Sequence, residues 1–137
     1  MTLWALLLFI SPVWAATQTF EAELDPTPFD ATNRADVIGS IGNLIARLDG
    51  NILTIQGRFS GMTSFATAAS IRVGLAKGVP GDLIGKLTVE HAPQGTVTGS
   101  VILTQAQVAA LLKRALYVRI DSERAPEGNL QGWLEKD

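Results

Sequence analysis

From residue 17 onward, hydrophobic and polar residues alternate with a period of two over most of the chain. Phe20, Ala22 and Leu24 alternate with Thr19, Glu21 and Glu23, the pattern of a strand with one buried face. A polar stretch, Asp25 to Asp36, follows. Leu44, Ala46 and Leu48 then alternate up to Asp49-Gly50-Asn51, and Leu53, Ile55 and Phe59 alternate beyond it, so Asp-Gly at the reversal predicts a hairpin. Ala69, Ile71 and Val73 predict a fourth strand. After the Gly- and Pro-bearing segment from Ala76 to Asp82, Leu83, Leu87 and Val89 resume the alternation. The turn His91-Ala92-Pro93-Gln94-Gly95 then leads to Val97, Val101 and Leu103, a second hairpin. Leu116, Val118 and Ile120 alternate with Tyr117, Arg119 and Asp121, and Leu130 and Leu134 flank Gly132 in a last strand opposed by Gln131 and Trp133. Helical spacing is confined to Val108, Leu111, Leu112 and Ala115, preceded by Thr104 and Gln107 as a capping box, which predicts one short helix near residues 105–114. About eight short strands with close turns predict an all-β antiparallel sandwich or barrel.

The 137 residues suit one compact domain. Composition narrows the chemistry sharply. There is no Cys and a single His, which removes disulfides, thiolate nucleophiles and His-rich metal cages. A formal charge of −2 gives no electrostatic footprint for nucleic acid or an anionic membrane.

The apolar run Leu3 to Ile10, then Ser11-Pro12 and Val13-Trp14-Ala15-Ala16, reads as an export signal cleaved after Ala15. The run is too short for an ordinary spanning helix. It lacks the usual positive n-region, so the rival is a retained anchor with Trp4 and Trp14 near its ends. The expected organisation is residues 1–15 as signal or anchor and 16–137 as a single domain. In either case the domain lies outside the cytoplasm, periplasmic or secreted, and membrane contact is restricted to residues 1–16.

Five phrases, in order, resemble the CHRD (chordin-like) domain family, frequent in exported bacterial proteins. They are Gly57-Arg58-Phe59-Ser60-Gly61-Met62 leading into Ala69-Ser70-Ile71-Arg72-Val73-Gly74, then Leu103-Thr104-Gln105-Ala106-Gln107, Tyr117-Val118-Arg119-Ile120-Asp121-Ser122, and Ala125-Pro126-Glu127-Gly128-Asn129-Leu130-Gln131-Gly132-Trp133-Leu134. The similarity spans about residues 37 to 134. It implies an immunoglobulin-like sandwich, broadly similar to copper-zinc superoxide dismutase. The family pattern implies His where this chain has Ser70, Arg72 and Asp121, and Arg where it has Gln131. A divalent metal needs three or four convergent ligands, and one carboxylate beside an arginine is a poor set. No metal or other cofactor is therefore expected.

If Ile71, Val118, Ile120, Leu130 and Leu134 face the core, period two places Ser70, Arg72, Tyr117, Arg119, Asp121, Gln131 and Trp133 on the opposite face. Aromatics with Arg on an exposed surface are the composition of interface anchors, so Arg72, Tyr117, Arg119, Asp121, Gln131 and Trp133 are the candidate protein-binding patch. The competing structural reading is a cross-strand Arg72–Asp121 ion pair, with Trp133 covering a sheet edge. His91 reads as an exposed turn residue rather than a catalytic base. Gly74, Gly78, Gly81 and Gly85 read as turns rather than a phosphate loop, since strands follow them. Glu21 and Glu23 read as a solvated face. The surplus of bases between Arg72 and Arg119 and of acids after residue 120 is as easily scatter as partner orientation.

The function expected is that of a non-catalytic exported binding or structural module of the cell envelope. In its sharper form the module is an accessory subunit docked on the outer face of a membrane protein complex. The alternative is a copper- or zinc-binding redox or carrier protein of superoxide-dismutase-like fold.

Overall fold

The computed structural model describes residues 17–74 and 81–137. The strands are β1 (Gln18–Pro26), β2 (Ile41–Asp49), β3 (Ile52–Ser60), β4 (Ala66–Val73), β5 (Asp82–Val89), β6 (Gly95–Ile102), β7 (Leu116–Ser122), β8 (Leu130–Trp133) and β9 (Glu135–Lys136), with helices α1 (Arg34–Val37) and α2 (Gln105–Leu112). The expected segment 1–15 and the turn at 76–80 lie outside the described residues.

All pairings are antiparallel, and the ladder runs β2-β3-β6-β5-β4-β7-β8-β1, closing through β1 onto β2. Eight strands thus form a closed, barrel-like sheet, and β9 pairs with the start of β1. Two joins are short: β5 meets β6 only at Thr88–Thr98 and Val89–Val97, and β1 meets β8 only at Asp25–Gln131 and Pro26–Leu130.

Alternation places the core as the pattern requires. Phe20, Leu24, Leu44, Leu53, Ile55, Ile71, Val118, Ile120, Leu130 and Leu134 are all buried. The Asp49-Gly50-Asn51 reversal joins β2 to β3 with Asp49 opposite Ile52, and Gly50 adopts φ +66°, a region that suits glycine. The capping box at α2 forms in both directions: Gln107 N donates to Thr104 Oγ1 at 3.2 Å, and Thr104 N donates to Gln107 Oε1 at 2.9 Å.

Two inward assignments change. Leu83 is exposed, because a register shift between Ile71 and Arg72 sets Gly85 opposite Ile71 but Leu83 opposite Arg72, on the outer face. Ile84 packs against the core in its stead. On α2, Leu111 is buried and Val108 packs on the core, whereas Leu112 is exposed, so the helix covers the barrel with a narrower stripe than the spacing implied.

Candidate partner-binding face

Strands β4, β7 and β8 carry the candidate residues on one face in adjacent register. Ser70 is opposite Arg119, which is opposite Gln131, and Arg72 is opposite Tyr117, which is opposite Trp133. The structure therefore brings all the candidate residues together, with Asp121 opposite Ala68 at the end of the row.

The face is not an open surface. Tyr117, Ser70 and Gln131 are buried, at 2%, 6% and 9% exposure, and Arg72, Arg119, Asp121 and Trp133 are half-buried. Long connections fold over it. Residues 27–40 and 123–129 are stapled to each other through Asn129, which is fully buried: its Nδ2 donates to Ser40 Oγ, its Oδ1 accepts from Ser122 Oγ, and its carbonyl accepts from Thr27 N. The buried Val37 of α1 holds the first of these connections down. At the other end, Gly81 N donates to the Tyr117 hydroxyl at 2.9 Å, and Trp133 Nε1 donates to Gly74 O at 2.7 Å. Tyr117 and Trp133 stack at 4.7 Å between centroids. Trp133 is thus packed into the face, and it also lies at the end of β8 that pairs with β7 but not with β1, whose partners are Leu130 and Gln131.

The ion pair also differs from the cross-strand one considered. Arg119 donates from Nε and Nη2 to Asp121 Oδ1 and Oδ2, at 2.8 and 3.3 Å, from two residues away on the same strand. Arg72 instead donates to Ser70 Oγ at 2.9 Å and to Gly81 O at 3.1 Å. The Arg119 and Asp121 side chains are 14% and 13% exposed, so this pair is largely desolvated.

Burial is the main cause that pushes the Asp121 carboxyl above the ordinary carboxylate value; the Arg119 hydrogen bonds and charge, and the charge of Arg72, oppose it. The fold holds the Asp121 proton more tightly than the unfolded chain does. Its stabilising contribution is therefore complete below about pH 4 and is lost as pH rises through the folded pKa. Asp121→Asn cannot ionise and escapes this loss. Urea denaturation should show the stability of Asp121→Asn rising relative to the parent between about pH 4 and pH 7. A difference that stays flat over that range would contradict the assignment.

The connections leave a recess of about 380 Å³ lined by Tyr117, Arg119, Gln131, Arg124, Glu127 and Thr27, among others. Gln131 Nε2 is buried and finds no hydrogen-bond partner among the described residues. An unmet buried donor costs roughly 1–3 kcal/mol. Gln131→Leu should therefore leave the midpoint of thermal unfolding unchanged or raise it, as read by circular dichroism; a clear drop would mean that the amide is satisfied in the folded protein. On the far side of β8 lies a larger open groove of about 840 Å³, with Glu21, Glu23, Asp25, Glu135 and Asp137 on its walls. These carboxylates are exposed, and a hydrogen bond and the like charge from Asp137 push the Glu21 carboxyl up. This is the solvated face expected of Glu21 and Glu23.

Asp121, held by Arg119, is the single carboxylate among the positions at which the family pattern implied histidine. Among the described residues no group of three or more His, Cys, Asp or Glu is placed to hold a metal ion. His91 is 62% exposed; its Nδ1 bonds Ala66 O at 3.0 Å, and its Nε2 lies 3.9 Å from Glu123. Nδ1 is thus taken by a backbone carbonyl, Nε2 lies beyond hydrogen-bond distance of Glu123, and the ring stands edge-on to Phe65. The residues that sequence reasoning passed over are Asn129, Thr27 and Ser40. Their only signal was a polar residue, Asn129, directly ahead of an apolar strand.

The CHRD domain model matches residues 20–134, nearly the whole chain. The chain belongs to the CHRD family. Its match takes in every strand of the closed ring from Phe20 on and all the candidate residues of the covered face. No curated protein and no solved structure matches the chain. CHRD domains are typical of exported proteins and form no known enzyme family. Among the described residues no helix is long and apolar enough to cross a membrane.

Proposed function

We propose that this CHRD domain is a non-catalytic binding module of the cell envelope, periplasmic or secreted, that recognises a protein partner through the recess on the outer face of β7 and β8. The observation that carries this reading is the meeting, under folded-over connections, of Tyr117, stacked on Trp133 at the edge of the recess, the desolvated Arg119–Asp121 pair and a Gln131 Nε2 without a partner among the described residues; Trp133 itself lines the groove beyond β8. Interface hot spots are rich in Trp, Tyr and Arg packed in this way. The closed ring, narrowed where β1 meets β8 and β5 meets β6, also suits two facing sheets in the manner of an immunoglobulin-like or superoxide-dismutase-like sandwich.

In the sharper form of the proposal, residues 1–16 are retained and the domain is an accessory subunit on the outer side of a membrane complex. Gentle isolation from native membranes and from the soluble envelope fraction, with intact mass and identification of co-purifying proteins, tests it. A full-length chain travelling with a membrane complex is the expected result. A monomer beginning at Ala16 with nothing bound would overturn the anchored form. Reversing the exposed rim charges, Arg124→Glu with Glu127→Arg, should abolish co-purification without unfolding the domain; an undiminished partner would move the contact away from this recess.

A further inference from the structure

We infer that the recess receives a carboxylate, carried by the partner as a chain terminus or an acidic side chain. This inference rests on the proposed reading of the recess as the binding site and specifies the group recognised there. Two donors converge on the recess. Arg119 lines it, and with Nε and Nη2 turned to Asp121 its remaining nitrogen, Nη1, has no hydrogen-bond partner among the described residues. Gln131, its neighbour across β7 and β8, lies between this recess and the groove beyond β8 and holds a buried Nε2 without a partner among the described residues. Both groups donate, so the complementary ligand atom is an acceptor.

Charge sets the recess apart from its neighbour. The lining carries Arg119, Arg124 and Glu127, and Asp121, paired to Arg119, offsets its charge, so the recess is balanced. The groove on the other side of β8 carries five carboxylates against Lys136 alone. An anion thus meets a balanced lining in the recess and repulsion in the neighbouring groove. Arg119 is fixed in advance by Asp121, so binding costs little side-chain ordering. A guanidinium is an ordinary partner of a planar carboxylate, and a side-chain amide nitrogen adds a second donor.

The test is a titration of the ¹⁵N-labelled protein, isolated in the form the cell produces, observed at the Gln131 side-chain amide and the Arg119 Nε–H by NMR. The probes are acetate, N-acetylglycine for a chain terminus and N-acetylaspartate α-amide for a side chain. N-acetylglycinamide and sodium chloride serve as controls. The three carboxylates should move both signals in a saturable way, with half-saturation at about 1–10 mM, the range open to so small a ligand. The tighter of the two amino-acid probes identifies the source of the carboxylate. Gln131→Leu should weaken the response at Arg119 at least threefold, and Gln131→Asn, which draws the donor back, should do the same. The assignment falls if N-acetylglycinamide or chloride gives equal shifts, or if neither variant changes the Arg119 response. If the carboxylate response fails while the rim charge reversal still abolishes co-purification, the recess remains the partner site and only its ligand is reassigned. If the response holds and the charge reversal leaves the partner bound, the protein-partner reading falls instead.

Discussion

Asp121→Ala should lower the stability of the folded domain by about 2–4 kcal/mol, somewhat less than the about 3–5 kcal/mol typical when one partner of a fully buried ion pair is removed. The Arg119 guanidinium is 14% exposed, and its Nε and Nη2 donate to Asp121. Without the carboxylate it remains desolvated and charged, because arginine does not give up its proton in a protein. The reciprocal change, Arg119→Ala, should cost less, about 1–2 kcal/mol at neutral pH, because Asp121 can escape by taking a proton and burial already favours its neutral form. That cost should shrink as pH is lowered toward 4. Replacing both residues with leucine should return the domain to within about 1 kcal/mol of the parent, since the pair's attraction only offsets its desolvation. Urea denaturation of the two alanine variants and of the double-leucine variant measures all three costs. Equal costs for the two single variants, or a double variant as unstable as Asp121→Ala, would contradict this account of the pair.

Gly132→Ala carries the other large expected effect, about 3 kcal/mol or more, at the upper end of what overpacking costs. Gly132 lies between Gln131 and Trp133, opposite Val118. A Cβ built there would stand 2.1 Å from the carbonyl oxygen of Glu23 and 3.0 Å from Leu24 Cδ2. The first neighbour is backbone and cannot turn away, so β1 and β8 would have to separate at the short join that closes the ring. The expected result is a fall in thermal midpoint of roughly 10 °C or more, together with faster amide exchange in β1 and β8. Gly50→Ala provides the contrast: its Cβ would meet nothing within 4 Å, so any cost there comes from its positive φ alone. A Gly132→Ala protein as stable as Gly50→Ala would show that the approach of β1 to β8 is looser than described.

The strands were readable because one face of each is apolar and the other polar, and Phe20-Ala22-Leu24 and Leu44-Ala46-Leu48 report that directly. The grouping of Ser70, Arg72, Tyr117, Arg119, Gln131 and Trp133 followed from the same parity, and the register bears it out. The exposure of that face was misjudged. Parity tells which residues oppose the core, but not whether a connection folds over them. The connections that do so are held by Asn129, Thr27 and Ser40, side chains distant in sequence whose hydrogen bonds leave no periodic trace. The register shift opposite Ile71/Arg72 inverted Leu83 and Ile84 for a related reason: a bulge resets parity, and Gly85, beside the extra residue Ile84 on β5, reads equally well as a turn glycine. The Arg119–Asp121 pair joins residues on one side of one strand, whereas the cross-strand alternative was drawn from family positions.

The most direct test of the proposed site is photocrosslinking in intact cells, with a photoreactive residue placed at Glu127 on the rim of the recess or at Thr98 on the exposed outer face of β6. Both positions are exposed, so neither insertion should disturb the fold. A single protein adduct formed at position 127, absent at position 98 and lost on Arg124→Glu, is the predicted result. Adducts of equal yield at both positions, or at position 98 alone, would contradict a partner site on the β7–β8 face.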